Sequence, residues 1–340
     1  MKIVVTGGLG FIGSHTVVEL QQKGYEVVII DNCSNSTPEV LTGIKTITGT
    51  TPHFEKFDLR DKAKVIDFFK RHNDCVGLIH FAASKAVGES VQQPLAYYEN
   101  NIGALVYILQ QLTALAQCHF IFSSSCTVYG QAKSLPITEN APVQTAASPY
   151  GNTKQIGEEI IKDACAVHSQ FKAISLRYFN PIGAHPTAAI GELPLGVPQN
   201  LVPYITQTAI GLRKELSVFG DTYPTSDGTA VRDYIHVVDL AKAHVIALER
   251  LLEQENSTNY EVFNVGTGTG SSVLEVISAF ERVSQQKLRY KIVAKRAGDV
   301  TAAFADTTKA QNVLGWTAQY SLDDAMADAW RWEQKIRASK

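Results

Sequence analysis

The hydrophobic pattern begins with Lys2-Ile3-Val4-Val5-Thr6, a short β-branched run that stops at Gly7-Gly8-Leu9-Gly10-Phe11-Ile12-Gly13. It predicts a buried strand, a glycine turn and a helix over Phe11 to Lys23. A second apolar strand follows at Glu26 to Ile30. Asn32 to Thr51 reads as polar loop with weak patterning, and Pro52 to Phe57 as a strand. The alternation continues with a helix over Asp61 to Arg71, a strand over Val76 to Phe81, a long amphipathic helix over Leu95 to Ala116 and a strand over His119 to Phe122. Pro149 to His168 reads as a helix, with Ser148 as N-cap and Pro149 in its first turn, and Lys172 to Tyr178 as a strand. Strands that alternate with helices specify βαβ units. The fold class is therefore α/β: a Rossmann-type doubly wound parallel sheet, helices on both faces, with a smaller C-terminal α/β substrate lobe.

The pattern changes after residue 180. Asn180 to Gln199 is rich in Gly, Pro and Ala and reads as loop. Asn200 to Leu212 predicts a helix, Leu216 to Phe219 a short strand, and Asp221 to Thr229 a polar turn. Further helices are expected at Val238 to Leu252, at Val273 to Ser284 and at Leu322 to Arg337, with Ser272 and Glu275 spaced as a capping box. Strands at Val262 to Val265 and Leu288 to Ile292 lie between them. We expect a dinucleotide-binding domain over residues 1–180 and a substrate lobe over 181–340, the chain crossing back near 235–265. Such a lobe belongs over the carboxyl ends of the strands, where open α/β sheets bind ligands.

The glycines carry the first chemistry. Gly7, Gly10 and Gly13 are spaced G-x-x-G-x-x-G between strand and helix. They allow a tight turn, close approach of backbone to a pyrophosphate, and close packing of helix on strand. Asp31 ends the second strand, eighteen residues past Gly13. A carboxylate there accepts hydrogen bonds from both hydroxyls of an adenosine ribose and repels a 2′-phosphate, so the cofactor reads as NAD. Tyr150 and Lys154, four residues apart at a helix start, share one face, and the preceding strand ends in Ser123-Ser124-Ser125. From spacing alone the pair also fits an ordinary solvent-facing helix surface. With the NAD fingerprint upstream it reads as a phenol whose ionisation is eased by a neighbouring ammonium, acting as general base on an alcohol.

Composition narrows the classes. A 45% hydrophobic, 19% charged chain of 340 residues has the makeup of an ordinary globular protein, and its net charge of −2 offers no basic field for nucleic acid or anionic lipid. The five cysteines, Cys33, Cys75, Cys118, Cys126 and Cys165, are scattered and form no C-x-x-C, which argues against a zinc site of cysteines or a disulfide framework and for a reducing compartment. The opening apolar run is too short for a signal peptide and no stretch reaches membrane-spanning length. We expect a cytoplasmic enzyme with no membrane or nucleic-acid partner and no metal.

Three blocks resemble the extended short-chain dehydrogenase/reductase superfamily: Thr6 to His15, Ser123 to Gly130, and Pro149 to Lys154. Three more, Phe81 to Ser90, Arg177 to His185 and Val231 to Val237, are similar to the UDP-glucose 4-epimerase family within it. The matching blocks run from residue 1 to about 315. The resemblance implies that Asp31 holds the adenosine ribose, with Asn32, Cys33, Ser34, Asn35 and Ser36 wrapped around it. Phe11 and Ile12 offer backbone to the pyrophosphate, Asp58 and Leu59 lie at the adenine, and Phe81, Ala82, Ala83, Lys85 and Asn100 line the cofactor groove. Tyr150 is the implied base, Lys154 holds the nicotinamide ribose, Ser125 assists at the sugar 4-hydroxyl, and Phe179 lies at the nicotinamide. Lys85, Asn180, Asn200, Leu201, Phe219, Arg232, Arg296, Asp299 and Ala303 fall at positions that meet a UDP-sugar. Without the family, Arg232 and Arg296 read as solvated surface charges, and His236 as a structural hydrogen-bonding residue. The implied reaction moves hydride from the sugar C4 to NAD and back, so the cofactor stays bound and is not consumed. A homodimer pairing the helices near 95–116 and 149–168 is implied as well.

Two departures sharpen this. Dehydratases of the superfamily carry Asp-Glu where this chain has Cys126-Thr127, which disfavours water loss. Many epimerases carry Tyr at the position of Ala303, closing the sugar pocket against an N-acetyl group. Alanine leaves that space open, unless a neighbour such as Phe304 refills it, and so implies turnover of UDP-N-acetylhexosamines.

Overall fold

The computed structural model describes residues 1–296 and 299–338; Ala297 and Gly298, inside the block that follows Arg296, lie outside the described residues. The first half is β1 (Lys2–Thr6), α1 (Phe11–Gln22), β2 (Glu26–Asp31), α2 (Val40–Thr48), β3 (His53–Lys56), α3 (Lys62–Arg71), β4 (Cys75–His80), α4 (Val87–Gln92), α5 (Pro94–Tyr98), α6 (Ala104–Leu112), β5 (His119–Ser123), α7 (Pro149–Val167) and β6 (Ala173–Tyr178). The second half is β7 (Asn180–Ile182), α8 (Leu201–Ala209), β8 (Leu216–Phe219), β9 (Val231–Arg232), β10 (Tyr234–His236), α9 (Val237–Leu252), β11 (Tyr260–Val265), β12 (Ser271–Ser272), α10 (Val273–Ser284), β13 (Tyr290–Val293), β14 (Ala302–Ala303) and α11 (Leu322–Ala338).

Seven strands form one parallel sheet in the order β11-β6-β5-β4-β1-β2-β3. The apolar runs of β1, β2 and β4 are buried on both sides, as a sheet covered by helices requires. Two cores result. One packs α1 and α9 against the sheet through Val17, Leu20, Leu240 and Leu248; the other packs α3, α6 and α7 through Phe68, Leu105, Ile108 and Ile161. A third core, around Ile205, Val218, Phe280 and Met326, joins α8, α10 and α11. The chain returns to the sheet after residue 236: α9 covers it and β11 supplies its outer strand beside β6.

Three elements differ from the pattern-based expectation. α2 occupies part of the stretch read as loop; Val40, Leu41, Ile44 and Ile47 lie at helical spacing and pack on the first core, but the helix is only nine residues long and its first turns are flanked by polar loop. The helix expected over Leu95 to Ala116 is broken into α5, a π turn at Glu99–Gly103, and α6, and ends at Leu112. The π turn carries Asn101 inward, where its side chain bonds Ser84 and Thr153. Several two- and three-residue strands of the second half are too short to leave a periodic signal. Cap chemistry matches the expectation: Ser148 accepts from the Gly151 amide, and Ser272 and Glu275 form a capping box.

Asp233 ties the second half to the sheet. It is fully buried between β9 and β10, and its carboxylate accepts from the Thr267 amide at 2.8 Å, the Thr267 hydroxyl at 2.8 Å, the Gly268 amide at 3.2 Å and the Ala305 amide at 3.1 Å. Removing such an acceptor strands several buried donors at once. Asp233→Ala is expected to lower the unfolding free energy by about 3 kcal/mol in urea titrations, well beyond a typical surface change.

Candidate active site

The glycine turn is a cradle that side chains would fill. Gly7 has φ of +67°, and a Cβ there would lie 2.8 Å from the Ala82 backbone nitrogen. A Cβ on Gly13 would lie 2.2 Å from the Gly7 carbonyl oxygen. Gly10 is the N-cap residue of α1 and no side chain caps that end, so the first amides of the helix, those of Phe11 and Ile12 included, point outward as an anion site. Asp31 stands beside the turn. Its carboxylate accepts from the Leu9 amide at 3.1 Å, the Cys33 amide at 2.9 Å and the Ser36 hydroxyl at 2.9 Å, which shapes the loop while leaving acceptor capacity. Ser34 and Asn35 are exposed on that loop, and Asn32 reaches Asp58 at 3.1 Å. The Arg60 guanidinium holds Asp58 well below the usual carboxylate range, and Leu59 is buried next to it.

Across the turn, Phe81, Ala82 and Ala83 follow β4 and are half-buried, the Phe81 ring lying 4.6 Å from that of His244. Asn100 bonds Ser84 at 3.2 Å from the surface side; the buried Asn101 does the holding of that loop. The turn, Asp31 and the Phe81 loop together make a groove whose donors and shape fit a dinucleotide.

The reactive group lies at the carboxyl end of β5. Ser125 leads into a 3-10 turn over Cys126–Tyr129 and its hydroxyl accepts from the Thr127 amide at 3.2 Å. Tyr150 comes from the first turn of α7, with the Ser125 hydroxyl near its phenol. Lys154, one turn on, is buried; its Nζ donates to the Ser123 carbonyl at 2.5 Å and sits 5.9 Å from the Tyr150 ring centre. Burial pulls the ammonium down to about 8, opposed by Glu158. The phenol does not follow the expectation that the lysine lowers it: burial pushes Tyr150 upward, with Tyr178 adding to this and the Ser125 hydrogen bond opposing it. The lysine points along the strand end rather than at the phenol oxygen.

Underneath is a polar chain that the motif reading missed. Glu158 accepts from Ser124 at 2.6 Å and forms a buried ion pair with Arg177 at 2.6 Å; Arg177 stacks 4.8 Å over the Tyr129 ring, whose hydroxyl donates to Asn264 at 2.6 Å. The signal was available: Tyr150, Lys154 and Glu158 repeat every four residues on one helix face. Phe179 is buried in a cluster with Val128, Tyr129 and Ala305, with Cys126 and Ala303 against it.

The residues expected at a UDP-sugar fall in two groups. Arg232 pairs with Asp299 and donates to the Val231 carbonyl at 2.7 Å, while Arg296 stacks 3.9 Å over the Phe219 ring. Tyr223 joins them, its buried hydroxyl without a protein partner and its ring under Lys295. Ala303 pairs with Arg232 in the β14–β9 register and packs toward Phe179, linking this group to the reactive one. The second group is Lys85, exposed, and Asn200, both at Glu192, at 3.7 and 2.5 Å. Glu192 was not foreseen; it lies in a loop with no motif. Asn180 is exposed, its amide donating to the Asp233 carbonyl at 2.9 Å, and Leu201 opens α8. His236 is structural, as its residue type suggested: it accepts from the Val238 amide and faces Asp328 at 3.3 Å.

With this geometry in place, comparison with known proteins is informative. Residues 4–329 match the family model described as GDP-mannose 4,6 dehydratase. A UDP-glucose 4-epimerase from Bacillus subtilis is 49% identical over 333 residues, covering 98% of this chain and 97% of the relative. The chain belongs to the UDP-glucose 4-epimerase family. A family member of known structure from Stenotrophomonas maltophila, with bound NAD and formylated UDP-arabinopyranose, superposes with a TM-score of 0.96 at 45% identity, covering all of both chains. Another from Bifidobacterium longum, in complex with NAD+ and UDP, gives 0.94 at 43% identity, again covering all of both chains. Against this epimerase family, the dehydratase description of the broader model finds no acid–base pair here: Cys126 and Thr127 stand beside Ser125, and burial pushes the Cys126 thiol up to about 11.

The buried lysine has a consequence for stability. Below about 8 both folded and unfolded chains hold its proton, and above the ordinary lysine value of 10.5 neither does. Between them only the unfolded chain is protonated, so this group makes stability rise with pH through that window. Urea unfolding of the protein without added nucleotide should show the rise between pH 8 and 10.5, and Lys154→Met should lack it.

Proposed function

We propose that this chain interconverts UDP-glucose and UDP-galactose by inverting C4 of the sugar, using a tightly held NAD that is not consumed. The observation that carries the reading is the group of buried Ser125 and Lys154 with half-buried Tyr150, at the same end of the sheet as the uncapped, glycine-lined start of α1. The chemistry supplied by bound NAD is acceptance of hydride from C4 and its return to the other face of the 4-keto sugar. Tyr150 removes the proton from the 4-hydroxyl and gives it back after the face has changed. The phenol needs help to ionise, because burial opposes it. The Ser125 hydroxyl opposes that effect, and the Lys154 ammonium supplies positive charge one helical turn away. Lys154 in turn is held at the Ser123 carbonyl, where it meets the ribose of the cofactor.

Arg232 and Arg296, with Asp299, Phe219 and Tyr223, are assigned to the uridine diphosphate. Guanidinium groups fix a diphosphate through planar, bidentate contacts. The sugar ring meets Lys85, Asn180 and Asn200 instead, of which Lys85 and Asn180 are exposed. Firm diphosphate and loose ring let the 4-keto sugar turn over between the two hydride steps. Ala303 extends the substrate range to UDP-N-acetylhexosamines. Ala303 and Phe304 are consecutive in an extended segment and point to opposite faces, and the Phe304 ring lies against the Gly270 position, so it does not fill the space beside Ala303. The reading includes a homodimer, supported by Val91 and Leu95, 62% and 80% exposed on helices packed against α7, and a cytoplasmic location.

Incubation with UDP-glucose and no added NAD, followed by NMR, should yield UDP-galactose. Free NADH or loss of water would instead favour an oxidoreductase or dehydratase. Tyr150→Phe should lower kcat by about 10²–10⁴-fold while retaining bound nicotinamide. Wild type should also convert UDP-N-acetylglucosamine, and Ala303→Tyr should abolish that activity while sparing UDP-glucose; a wild type inert toward the N-acetyl sugar sinks the open-pocket reading.

A further inference from the structure

At the edge of the sheet remote from Tyr150, three side chains converge that the epimerase chemistry does not use. His53 and Glu55 alternate on the edge strand β3 and so share one face. His72 is the C-cap of α3, its amide bonded to the Phe68 carbonyl at 2.9 Å and its ring packed 4.4 Å from the Phe68 ring, which fixes its direction. His72 Nε2 lies 2.8 Å and His53 Nε2 3.4 Å from the same carboxylate oxygen, Oε1 of Glu55. Three ligand atoms of a kind that binds borderline metals thus lie within 4.8 Å of one another.

We propose that His53, Glu55 and His72 form a Zn2+ site that ties the edge strand β3 to the end of α3. Zinc takes histidine nitrogen and carboxylate oxygen at about 2.0–2.2 Å in tetrahedral geometry, and three protein ligands leave its fourth position for water. The approach is open: His53 is 58% exposed, and a cleft bounded by Glu55, Phe57, Lys64 and Asp67 adjoins the carboxylate. One competitor is present. Arg71 donates to both Glu55 oxygens, at 2.7 and 2.8 Å, but it is half exposed and also bonds Asp67 at 3.1 Å, so it has a second carboxylate to turn to. Each imidazole must present a lone pair at Nε2 and carry its proton on Nδ1. For His72 that nitrogen is buried and has no acceptor, so the site lacks the outer support that makes structural zinc permanent. The affinity is therefore moderate. The site lies four strand spacings from β5, about 19 Å from the reactive group, so zinc binds here independently of turnover.

Tag-free, metal-stripped protein with its nicotinamide retained would be titrated calorimetrically with zinc chloride. Saturable binding of one zinc per chain is expected, with a rise in the thermal midpoint of about 4 °C at a hundredfold excess over Kd. His53→Gln and His72→Gln should each weaken binding at least tenfold while circular dichroism shows the fold kept. Arg71→Ala should tighten it by removing the rival for Glu55. Absence of saturable binding, zinc affinity unchanged in both histidine variants, or weaker binding by Arg71→Ala would overturn the proposal.

Discussion

The site depends on the burial of an ammonium group. Helix α7 drives Lys154 into the protein at the carboxyl end of β5, where its Nζ donates to the Ser123 carbonyl. A charge so placed is costly unless its surroundings are rigid and polar. The next turn of the same helix supplies Glu158, which lowers that cost and is itself held by Ser124 and Arg177. Three successive serines after β5 therefore do three different jobs: Ser123 receives the lysine, Ser124 anchors the glutamate, and Ser125 faces the phenol. Any movement of the strand end would disturb all three.

Two kinds of positioning meet around this group. The nucleotide side is built from backbone: a glycine turn too crowded for any Cβ at Gly13, an uncapped helix start, and a loop shaped by Asp31. The far side is built from side chains that pair with one another, Arg232 with Asp299 and Asn200 with Glu192. Backbone cannot be rearranged by a single substitution, whereas paired side chains can be exchanged. Ala303 sits where the two sides join, in register with Arg232 and against the cluster around Phe179.

Much of this was legible in the chain. β1, α1, β2, α7, α10 and their caps follow from periodicity and from Ser148, Ser272 and Glu275, because strong local signals and tertiary packing agree there. The glycine turn, Asp31, Ser125, Tyr150 and Lys154 were found from spacing and resemblance together, and the structure brings them to one end of the sheet. What stayed hidden is what depends on distant partners. Asn101 owes its place to a π turn, Glu192 to a loop without pattern, and Asp233 to backbone amides more than thirty residues away. The direction of the Tyr150 shift was also misjudged, since proximity along a helix says nothing about how dry the phenol is.

The return of the chain after β10 has one more consequence. The outer strand β11 and the helix α9 that covers one sheet face are encoded downstream of much of the substrate lobe. Cutting the polypeptide after residue 180 would thus leave a sheet stripped of its outer strand and of the helix α9 over one face. Neither fragment is a module that recombination could lift out and graft elsewhere, so the two parts of the chain are inherited as one piece.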